Sequence, residues 1–415
     1  MVHGEAWTLK EFFTYPNEYI YWTIQIVMYP FMTGLVAGAF VLSSLYHVFG
    51  VKKLKEIARF SLVFSFALLP VAMLPLMLHL QQPLRGIEVM LTPHFTSAIA
   101  AFGIVFTTYG MIVASELWFV YRKHFVETAL LLRRIPDKSA IDRFRHLLFS
   151  ALTLGAMDIG EEALAADERA VKKLAGAGIP VACFLHGYAG FIFGSVKANA
   201  LWMTPLMPVI FICSAVVSGI ALCILTYIVT MEIRKWLAAR KKQQYPELPS
   251  PAELKSAELQ VVTMTGRYLL MFMVAAITLE LLDLVFRGYT AVKSWDILRS
   301  VIYERDFVNI FVIQYGLGNL VPFIIFLMPR LTIRRAVLGT ALVLLGVFMM
   351  RWNVVIGGQA FSSSFSGFMH YTLPILPNSL ETFKEGLMGA LTVALVPFGL
   401  FWLLNKVMPV FKETH

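Results

Sequence analysis

Residues 205–231 read PLMPVIFICSAVVSGIALCILTYIVTM, and this stretch decides the fold. Its 27 residues include no Asp, Glu, Lys or Arg. A helix of about 20 apolar residues crosses the roughly 30 Å of hydrocarbon in a bilayer. Because a backbone in lipid must satisfy its own hydrogen bonds, the run predicts a transmembrane α-helix.

Apolar runs of this kind recur along the whole chain of 415 residues. Hydrophobic residues make up 58% of the chain and charged residues only 15%, with a mean hydropathy of +0.71, and such values are atypical of soluble domains. The sequence therefore predicts an all-α fold, a polytopic transmembrane helical bundle that forms a single domain over residues 1–415. Nine spans are predicted, at about residues 20–48, 58–80, 95–121, 179–199, 205–231, 261–287, 308–328, 335–353 and 387–409.

The distribution of basic residues predicts the orientation of the bundle. With the N-terminus outside and the C-terminus inside, 25 of the 35 Lys and Arg residues fall in cytoplasmic segments, as the positive-inside rule requires. A tenth run at 147–156 is too short to span, so it predicts an amphipathic helix within a cytoplasmic loop at 122–178. A second, basic cytoplasmic loop is predicted at 232–260.

The same distribution accounts for the net charge of +9. In a soluble protein such a charge would suggest nucleic acid, but here it follows membrane orientation. We expect a multi-pass protein of the cytoplasmic membrane that contacts the lipid bilayer and has no nucleic-acid partner. The first apolar run is expected to be a span rather than a cleavable leader.

The chain's cysteines and histidines predict no redox centre of its own. Cys183, Cys213 and Cys223 lie in apolar runs without metal-ligand spacing, which argues against an iron–sulfur cluster or a zinc site. A b-type haem needs paired axial histidines, and only His79 and His94 come near that pattern. Electrons would therefore arrive through a partner's cofactor or through a mobile carrier such as quinone.

Ionisable residues within the predicted spans gather toward the outer face. Glu280, Asp283 and Arg287 lie at i, i+3 and i+7, which places them on one stripe of the sixth span. Charged groups in hydrocarbon cost about 2.5–3.5 kcal/mol each on insertion scales and persist where they meet a partner, water or a ligand. Glu280 and Asp283 are the predicted proton carriers, and interfacial anchoring is the alternative.

Three further polar residues lie deeper. His186 and Tyr188 fall in the inner half of the fourth predicted span, and Glu116 falls toward the inner end of the third. One interpretation is that they extend a proton path to the cytoplasm. The other is structural: His186 is a core histidine whose hydrogen bonds are satisfied, Tyr188 is its neighbour, and the Glu116 carboxylate reaches the membrane interface. The sequence leaves both interpretations open.

Two long blocks resemble the NrfD family of membrane subunits. They are HLQQPLRGIEVMLTPHFTS at 79–97 and LHGYAGFIFGSVKANALWMTPLMPVIFICSA at 185–215, and RWNVVIGGQ at 351–359 adds to the likeness. The chain looks most similar to the DsrP-like and Hme-type menaquinol-oxidising members. It departs from them at His79, where HLQQP replaces the common HLGRP.

The resemblance implies a protein that binds menaquinone or another quinone near the outer face, with no haem, cluster or metal of its own. It implies an attached ferredoxin-like iron–sulfur subunit with several clusters. A DsrMKJOP-like complex would add a multihaem cytochrome c, a haem b membrane subunit and a heterodisulfide-reductase-like subunit, in sulfur-compound metabolism. The implied quinone-binding residues are His79, Arg85, His94, Arg351 and Asn353, with Gln25 and Tyr29 as looser counterparts; His186, Lys197, Asn199 and Gln359 lie in the same motifs.

The expected function is thus a quinone-reactive membrane subunit of a respiratory oxidoreductase complex. It would exchange electrons between menaquinol or menaquinone and the iron–sulfur subunit, and the buried carboxylates suggest proton translocation as well. Two other classes remain open on the sequence. One is a secondary transporter or proton channel, which also uses buried carboxylates, and the other is a purely structural membrane anchor of a redox complex.

Overall fold

A computed structural model describes residues 19–97, 99–136, 139–196, 199, 201–241, 251–289, 295–361 and 368–411. Twelve helices of this part of the chain are labelled here in chain order. They are α1 Ile24–His47, α2 Lys55–Leu68, α3 Leu74–His79, α4 Ala100–Arg133, α5 Ala140–Leu152, α6 Glu161–Gly194, α7 Met207–Lys241, α8 Pro251–Tyr289, α9 Val308–Leu327, α10 Ile333–Val355, α11 Leu380–Glu385 and α12 Leu387–Val407.

The helices form an all-α polytopic bundle, which confirms the predicted fold class. Within the described residues, eight of them are long and apolar enough to cross a membrane: α1, α4, α6, α7, α8, α9, α10 and α12. Side-chain caps fix several starts, as where Thr23 accepts from the backbone N–H of Gln25 at the start of α1. Residues 308–320 of α9 are π-helical, a conformation that often marks functional sites.

The predicted span at 58–80 is present in two helical pieces. Helix α2 ends at Leu68 and α3 begins at Leu74, with Pro70 and Pro75 at the interruption. Proline lacks a backbone N–H and disfavours a helical residue before it, so the pair divides the run. This break explains why nine spans were predicted while the described residues contain eight continuous helices long enough to cross a membrane.

Most described residues of the two predicted cytoplasmic loops are helical, whereas the sequence predicted only one amphipathic helix there. Helices α4, α6, α7 and α8 have 34 to 39 residues, and at 1.5 Å per residue they exceed a hydrocarbon core of about 30 Å. Their extensions enter 122–178 and 232–260. The apolar pattern ends there, but Lys, Arg and Glu are good helix formers and the helices continue.

The extensions of α4 and α6 are joined by a buried ion pair. Arg122 lies 2.7 Å from Asp167, and its guanidinium also donates to the backbone carbonyls of Ala156 and Asp158. The predicted amphipathic helix is α5, which packs on α4 where Trp118 Nε1 donates to a backbone carbonyl 2.8 Å away. The segment 122–178 therefore packs as a helical part of the same bundle.

Glycines allow the closest helix approaches in the bundle. A Cβ atom on Gly219 of α7 would lie 2.5 Å from the backbone of Gly38 on α1, and one on Gly318 of α9 would overlap the backbone of Gly346 on α10. Small residues at such crossings let backbones touch, and van der Waals packing of this kind drives helix association in lipid. These two crossings hold α1 to α7 and α9 to α10.

We predict that Gly219→Ala destabilises the protein. The added methyl must displace the α1 backbone, and overpacking of this kind costs about 1–3 kcal/mol of unfolding free energy. The measurement is the apparent melting temperature in detergent. Gly399→Ala is the matched control, because a Cβ atom there meets no atom within 4 Å and both changes gain the same helix propensity. Equal melting temperatures for the two variants would contradict the close approach.

Candidate functional site

A cluster of buried polar side chains lies at one end of the bundle, called here the outer end. It is the end that carries the start of α1 and the last turns of α6, α8 and α10, opposite the basic connections. Loops at this end are tied to helix ends: Asn199 Nδ2 donates to the carbonyl of Gly358 at 2.6 Å, and Trp202 Nε1 donates to that of Val354. Hydrogen bonds therefore fix the described loop residues at the outer end, and a fixed surface can form a binding site.

A cavity of about 120 Å³ lies at the outer end between α7, α8, α9, α10 and residues 295–306. We call it cavity A. Its polar lining is Glu280, Asp283, Arg287, Asp306, Gln314, Tyr315 and Asn353. The remaining lining residues are aliphatic or Met side chains, so polar groups converge within apolar walls, as in ligand sites generally.

A chain of amide hydrogen bonds leads to Glu280. Asn353 Nδ2 donates to Gln314 Oε1 at 2.8 Å, and Gln314 Nε2 donates to Glu280 Oε2 at 3.0 Å. Asn353 Oδ1 is buried and meets no hydrogen-bond partner among the described residues. Because buried polar atoms are seldom left unpaired, this oxygen is available to a donor within the cavity.

Asp283 is held from two sides. Thr204 Oγ1 donates to Oδ1 at 2.6 Å, and Arg287 Nε donates to Oδ2 at 2.8 Å. Asp306 lies across the cavity beside Arg305; burial raises the pKa of its carboxyl, and the nearby guanidinium opposes that rise. The stripe of Glu280, Asp283 and Arg287 was predictable from helical spacing, whereas Thr204, Asp306 and Gln314 were not.

Arg351 lies behind cavity A and does not line it. Its side chain is 0% exposed, and Nη2 donates to Ser214 Oγ at 2.7 Å and to His186 Nε2 at 2.9 Å. The guanidinium also stands over the Phe211 ring, 3.8 Å from its centroid. Met350 and Asn353 of the same helix line the cavity, so a buried guanidinium stands behind its wall.

His186 joins this outer cluster, which corrects its predicted depth. The sequence placed it in the inner half of its span, but α6 ends at Gly194, about 12 Å beyond His186 at 1.5 Å per residue. Arginine has no acceptor, so Nε2 of His186 accepts from Arg351 and the ring proton lies on Nδ1. That nitrogen is 3.4 Å from Thr33 Oγ1 of α1.

A second and larger cavity, cavity B, has a volume of about 530 Å³. It lies on the other side of the α9–α10 pair, against α1 and α12. Its lining is Ile24, Met28, Asn309, Ile313, Phe348, Met349, Trp352, Leu373, Leu387, Ala390, Leu391 and Ala394. Cavity B is thus almost entirely apolar, in contrast to cavity A.

The predicted quinone ligands are divided between separate places. Of the seven, Asn353 lines cavity A. His79 lies near the start of α12, with Nδ1 2.9 Å from Glu385 Oε2, and Gln25 donates to the carbonyl of Lys384. Arg85 and His94 are in the exposed outer connection, beside Glu88 and Thr96 respectively.

The remaining predicted residues lie elsewhere. Tyr29 is buried with its ring 5.7 Å from that of Phe102, and Tyr188 lies among phenylalanines on a different face of α6 from His186. Glu116 is 0% exposed, and neither carboxylate oxygen meets a partner in the described chain. Lys197 lies outside the described residues, while Gln359 caps the end of α10 by donating to Val355.

No group of three or more His, Cys, Asp or Glu side chains within the described ranges could hold a metal ion. The three cysteines are free thiols. The arrangement at the outer end instead offers three carboxylates, Glu280, Asp283 and Asp306, with two amides around a small cavity and a buried cation behind it. Such a site can bind a carbonyl or hydroxyl group and exchange protons with it.

Comparison with known proteins identifies the family. The model of the family described as polysulphide reductase, NrfD, matches residues 14–363. One similar protein is a selenate reductase subunit of Mesobacillus selenatarsenatis. It is 30% identical over 216 residues, which are 51% of this chain and 49% of that protein.

A putative dimethyl sulfoxide reductase membrane subunit of Halobacterium salinarum is 26% identical over 329 residues, 78% of this chain and 65% of that protein. The chain thus spans between about half and two thirds of the length of these relatives. The family match covers most of the chain and includes the cavity A residues of α8, α9 and α10. The chain therefore belongs to the NrfD family of multi-pass membrane proteins.

Proposed function

We propose that this protein is the quinone-reactive membrane subunit of a respiratory oxidoreductase complex. It exchanges electrons between menaquinol or menaquinone and an attached iron–sulfur subunit at the outer end. The observation that carries the proposal is the pair of carboxylates, Glu280 and Asp283, facing one cavity within apolar walls. Quinone is the substrate, and the chain supplies binding groups and proton carriers.

Quinone chemistry matches the side chains around cavity A. Oxidation of a quinol to a quinone releases two electrons and two protons, so a site needs proton acceptors next to the ring oxygens. Glu280 and Asp283 are the acceptors, each oriented by a separate hydrogen-bond donor, Gln314 and Thr204. Asn353 supplies an amide from the opposite wall. The electrons pass to the iron–sulfur clusters of the partner.

Arg351 acts as a positioning residue in this proposal. Its guanidinium is fully buried, and in such a low-dielectric interior a charge acts on neighbouring groups more strongly than it would in water. His186, Ser214 and the Phe211 ring hold the guanidinium in place. Arg351 therefore prepares the site to receive a proton from quinol without touching the quinol.

A proton path from cavity A toward the inner end is part of the proposal. His186 belongs to this path as a titratable group that contacts Arg351, with Thr33 beyond it. Glu116 would be the inner station, since a buried carboxylate without a partner is stable in lipid only with a proton or water. Tyr188 has the least support as a residue of this path, because its ring packs against phenylalanine rings.

The partners and setting follow from the family. The names of the two relatives describe subunits of reductases, which supports an assembly with a ferredoxin-like multi-cluster iron–sulfur subunit. A DsrMKJOP or Hme-type complex in sulfur-compound metabolism is the specific arrangement we propose, with a multihaem cytochrome c, a haem b subunit and a heterodisulfide-reductase-like subunit. The basic ends of α7 and α8 support a position in the cytoplasmic membrane with the N-terminus outside.

We predict that Glu280→Gln and Asp283→Asn slow quinol oxidation without preventing assembly. Both changes preserve size and remove a proton acceptor, and general acid–base catalysis contributes about 10²–10⁴-fold. The rate of cluster reduction by menaquinol in a single turnover, followed by EPR, should fall at least about 10-fold. This readout does not depend on the terminal substrate.

Glu381→Gln is the matched control, because Glu381 is an exposed carboxylate at the same end of the bundle. It should react at the native rate. Native-rate cluster reduction in the Glu280→Gln and Asp283→Asn variants would exclude cavity A as the site. Proton movement in vesicles that hold this chain alone would instead favour a transporter or proton channel.

We predict that Arg351→Met lowers both stability and the rate of quinol oxidation. The change leaves Ser214 and His186 without their donor, and an unsatisfied buried polar group costs about 1–3 kcal/mol. Arg143→Met is the control, because Arg143 is exposed on α5 and has no part in the proposed site. The apparent melting temperature and the cluster-reduction rate are measured for both. A stable Arg351→Met protein that reacts at the native rate would show that the buried cation has no role.

A further inference from the structure

Helix α5 has a second apolar face, which the rest of the described chain does not cover. Ile141, Phe144 and Leu147 lie three residues apart and share this face. Their side chains are 71%, 65% and 69% exposed, and we call the three residues the α5 patch. Phe149 lies about 140° around the helix from Phe144, and its buried ring is 6.2 Å from that of Phe125 on α4. Helix α5 therefore packs on α4 with one face and leaves the other open.

The position of α5 along α4 places the α5 patch outside the membrane. Helix α5 runs back toward the membrane, because Phe149 contacts Phe125 while the carbonyl of Leu152 accepts from Trp118. The third predicted span ends at 121, between those two contact points. Phe144 precedes both contacts, and at 1.5 Å per residue it lies on the order of 10 Å outside the hydrocarbon. The headgroup layer is about 5–8 Å thick, so lipid does not cover the patch.

Arginines line the edge of the α5 patch that faces α4. Arg145 is exposed and lies between Phe144 and Phe149 around the helix. Arg133 and Arg134 at the end of α4 are exposed as well, and the short connection 135–139 joins them to α5. Arginine binds carboxylates through two parallel hydrogen bonds and is enriched in protein interfaces. This edge of the patch is therefore suited to acidic groups.

Charge and position together select the kind of occupant. A second copy of the chain, joined through the same patch, would bring the arginines of both copies against each other. A bilayer does not extend as far as Phe144. Contiguous exposed apolar side chains mark interaction sites, and complementary charge around them fixes the partner's orientation. The α5 patch thus fits a soluble protein with acidic side chains around an apolar pocket.

We propose that the α5 patch is the docking surface for a soluble cytoplasmic protein that presents carboxylates around an apolar pocket. Phe144 is the central apolar anchor, and Arg133, Arg134 and Arg145 bind the carboxylates. The inference goes beyond the proposed function, because α5 lies at the inner end of the bundle, opposite cavity A. It takes from that proposal only the orientation, which places the inner end in the cytoplasm.

Cross-linking from the patch in native membranes identifies the occupant. Benzoylphenylalanine replaces Phe144, the membranes are illuminated, and the complex is isolated in mild detergent. Mass spectrometry then locates the cross-linked peptide. We expect one soluble protein, joined through a peptide that has Asp or Glu next to apolar residues.

Phe144→Asp should lower the amount of this soluble protein in the purified complex at least about 10-fold, because a central aromatic anchor carries much of the binding free energy. Phe49→Asp is the matched control. Phe49 follows α1 at the same end of the bundle, its side chain is 66% exposed, and it does not belong to the patch. The control complex should keep the native amount, and neither change should alter the apparent melting temperature, since both side chains are exposed.

Arg145→Glu tests the charge of the patch separately from its apolar anchor. It places like charges together and should lower the amount of the soluble protein about 5-fold. A lysine in place of the partner's cross-linked carboxylate should restore binding to the Arg145→Glu chain, because the charges are then exchanged. Arg335→Glu is the control, since Arg335 is an exposed arginine at the inner start of α10.

Equal amounts of the soluble protein with the Phe144→Asp and Phe49→Asp chains would overturn the docking surface. Cross-links from position 144 that reach only lipid, or only a second copy of the chain, would overturn it as well. The iron–sulfur subunit is the internal reference, because it binds at the outer end and should remain with every variant. Its absence from the native complex would contradict the proposed function and leave the docking result standing.

Discussion

Hydrocarbon offers no hydrogen bonds, and this constraint governs the structure. Every polar side chain within the bundle must find its partner in protein, water or ligand. Arg351 is the extreme case: a fully buried cation whose contacts come from α6 and α7 as well as its own helix. Helix packing must therefore be accurate around it, and the glycine crossings at Gly38 and Gly318 make such approaches geometrically feasible.

The buried cation also explains why carboxylates persist at the outer end. Arg351 is buried behind the cavity wall, Glu280 accepts from Gln314, and Asp283 pairs with Arg287. Both acids line cavity A, Asp283 while it is paired with Arg287. A closed pair would serve stability alone, whereas an acid with one side open to a cavity can give or take a proton. The α9–α10 pair lies between the polar cavity A and the apolar cavity B.

Some features were predictable from local sequence and others were not. The span at 205–231 and the stripe of Glu280 and Asp283 follow from composition and helical period alone. The helix break at Pro70 and Pro75 was predictable from the prolines. Mean hydropathy over a window of about 20 residues does not show it, because the residues around the prolines are apolar. The helical extensions beyond Arg122 were hidden because the apolar pattern stops where the membrane stops, not where the helix stops.

Hydrogen-bond partners that are distant along the chain were the main features that the sequence did not predict. Gln314 and Thr204 are ordinary polar residues in their own segments, and only folding brings them to Glu280 and Asp283. Glu385 meets His79 across 306 positions. His186 was placed at the wrong depth because its span boundaries were shifted by a helix that begins at Glu161. Asn353 was predicted as a site residue because its motif resembles that of the NrfD family, and it lines cavity A.

The central claim is that this protein passes electrons between quinone and an attached iron–sulfur protein. The most direct measurement is mild purification from native membranes, with mass spectrometry of the subunits, extraction of bound quinone and a visible spectrum. We expect a complex that contains an iron–sulfur protein and bound menaquinone, with clusters reduced on addition of menaquinol. A protein that purifies alone, carries no quinone and moves protons in vesicles without a redox partner would contradict it.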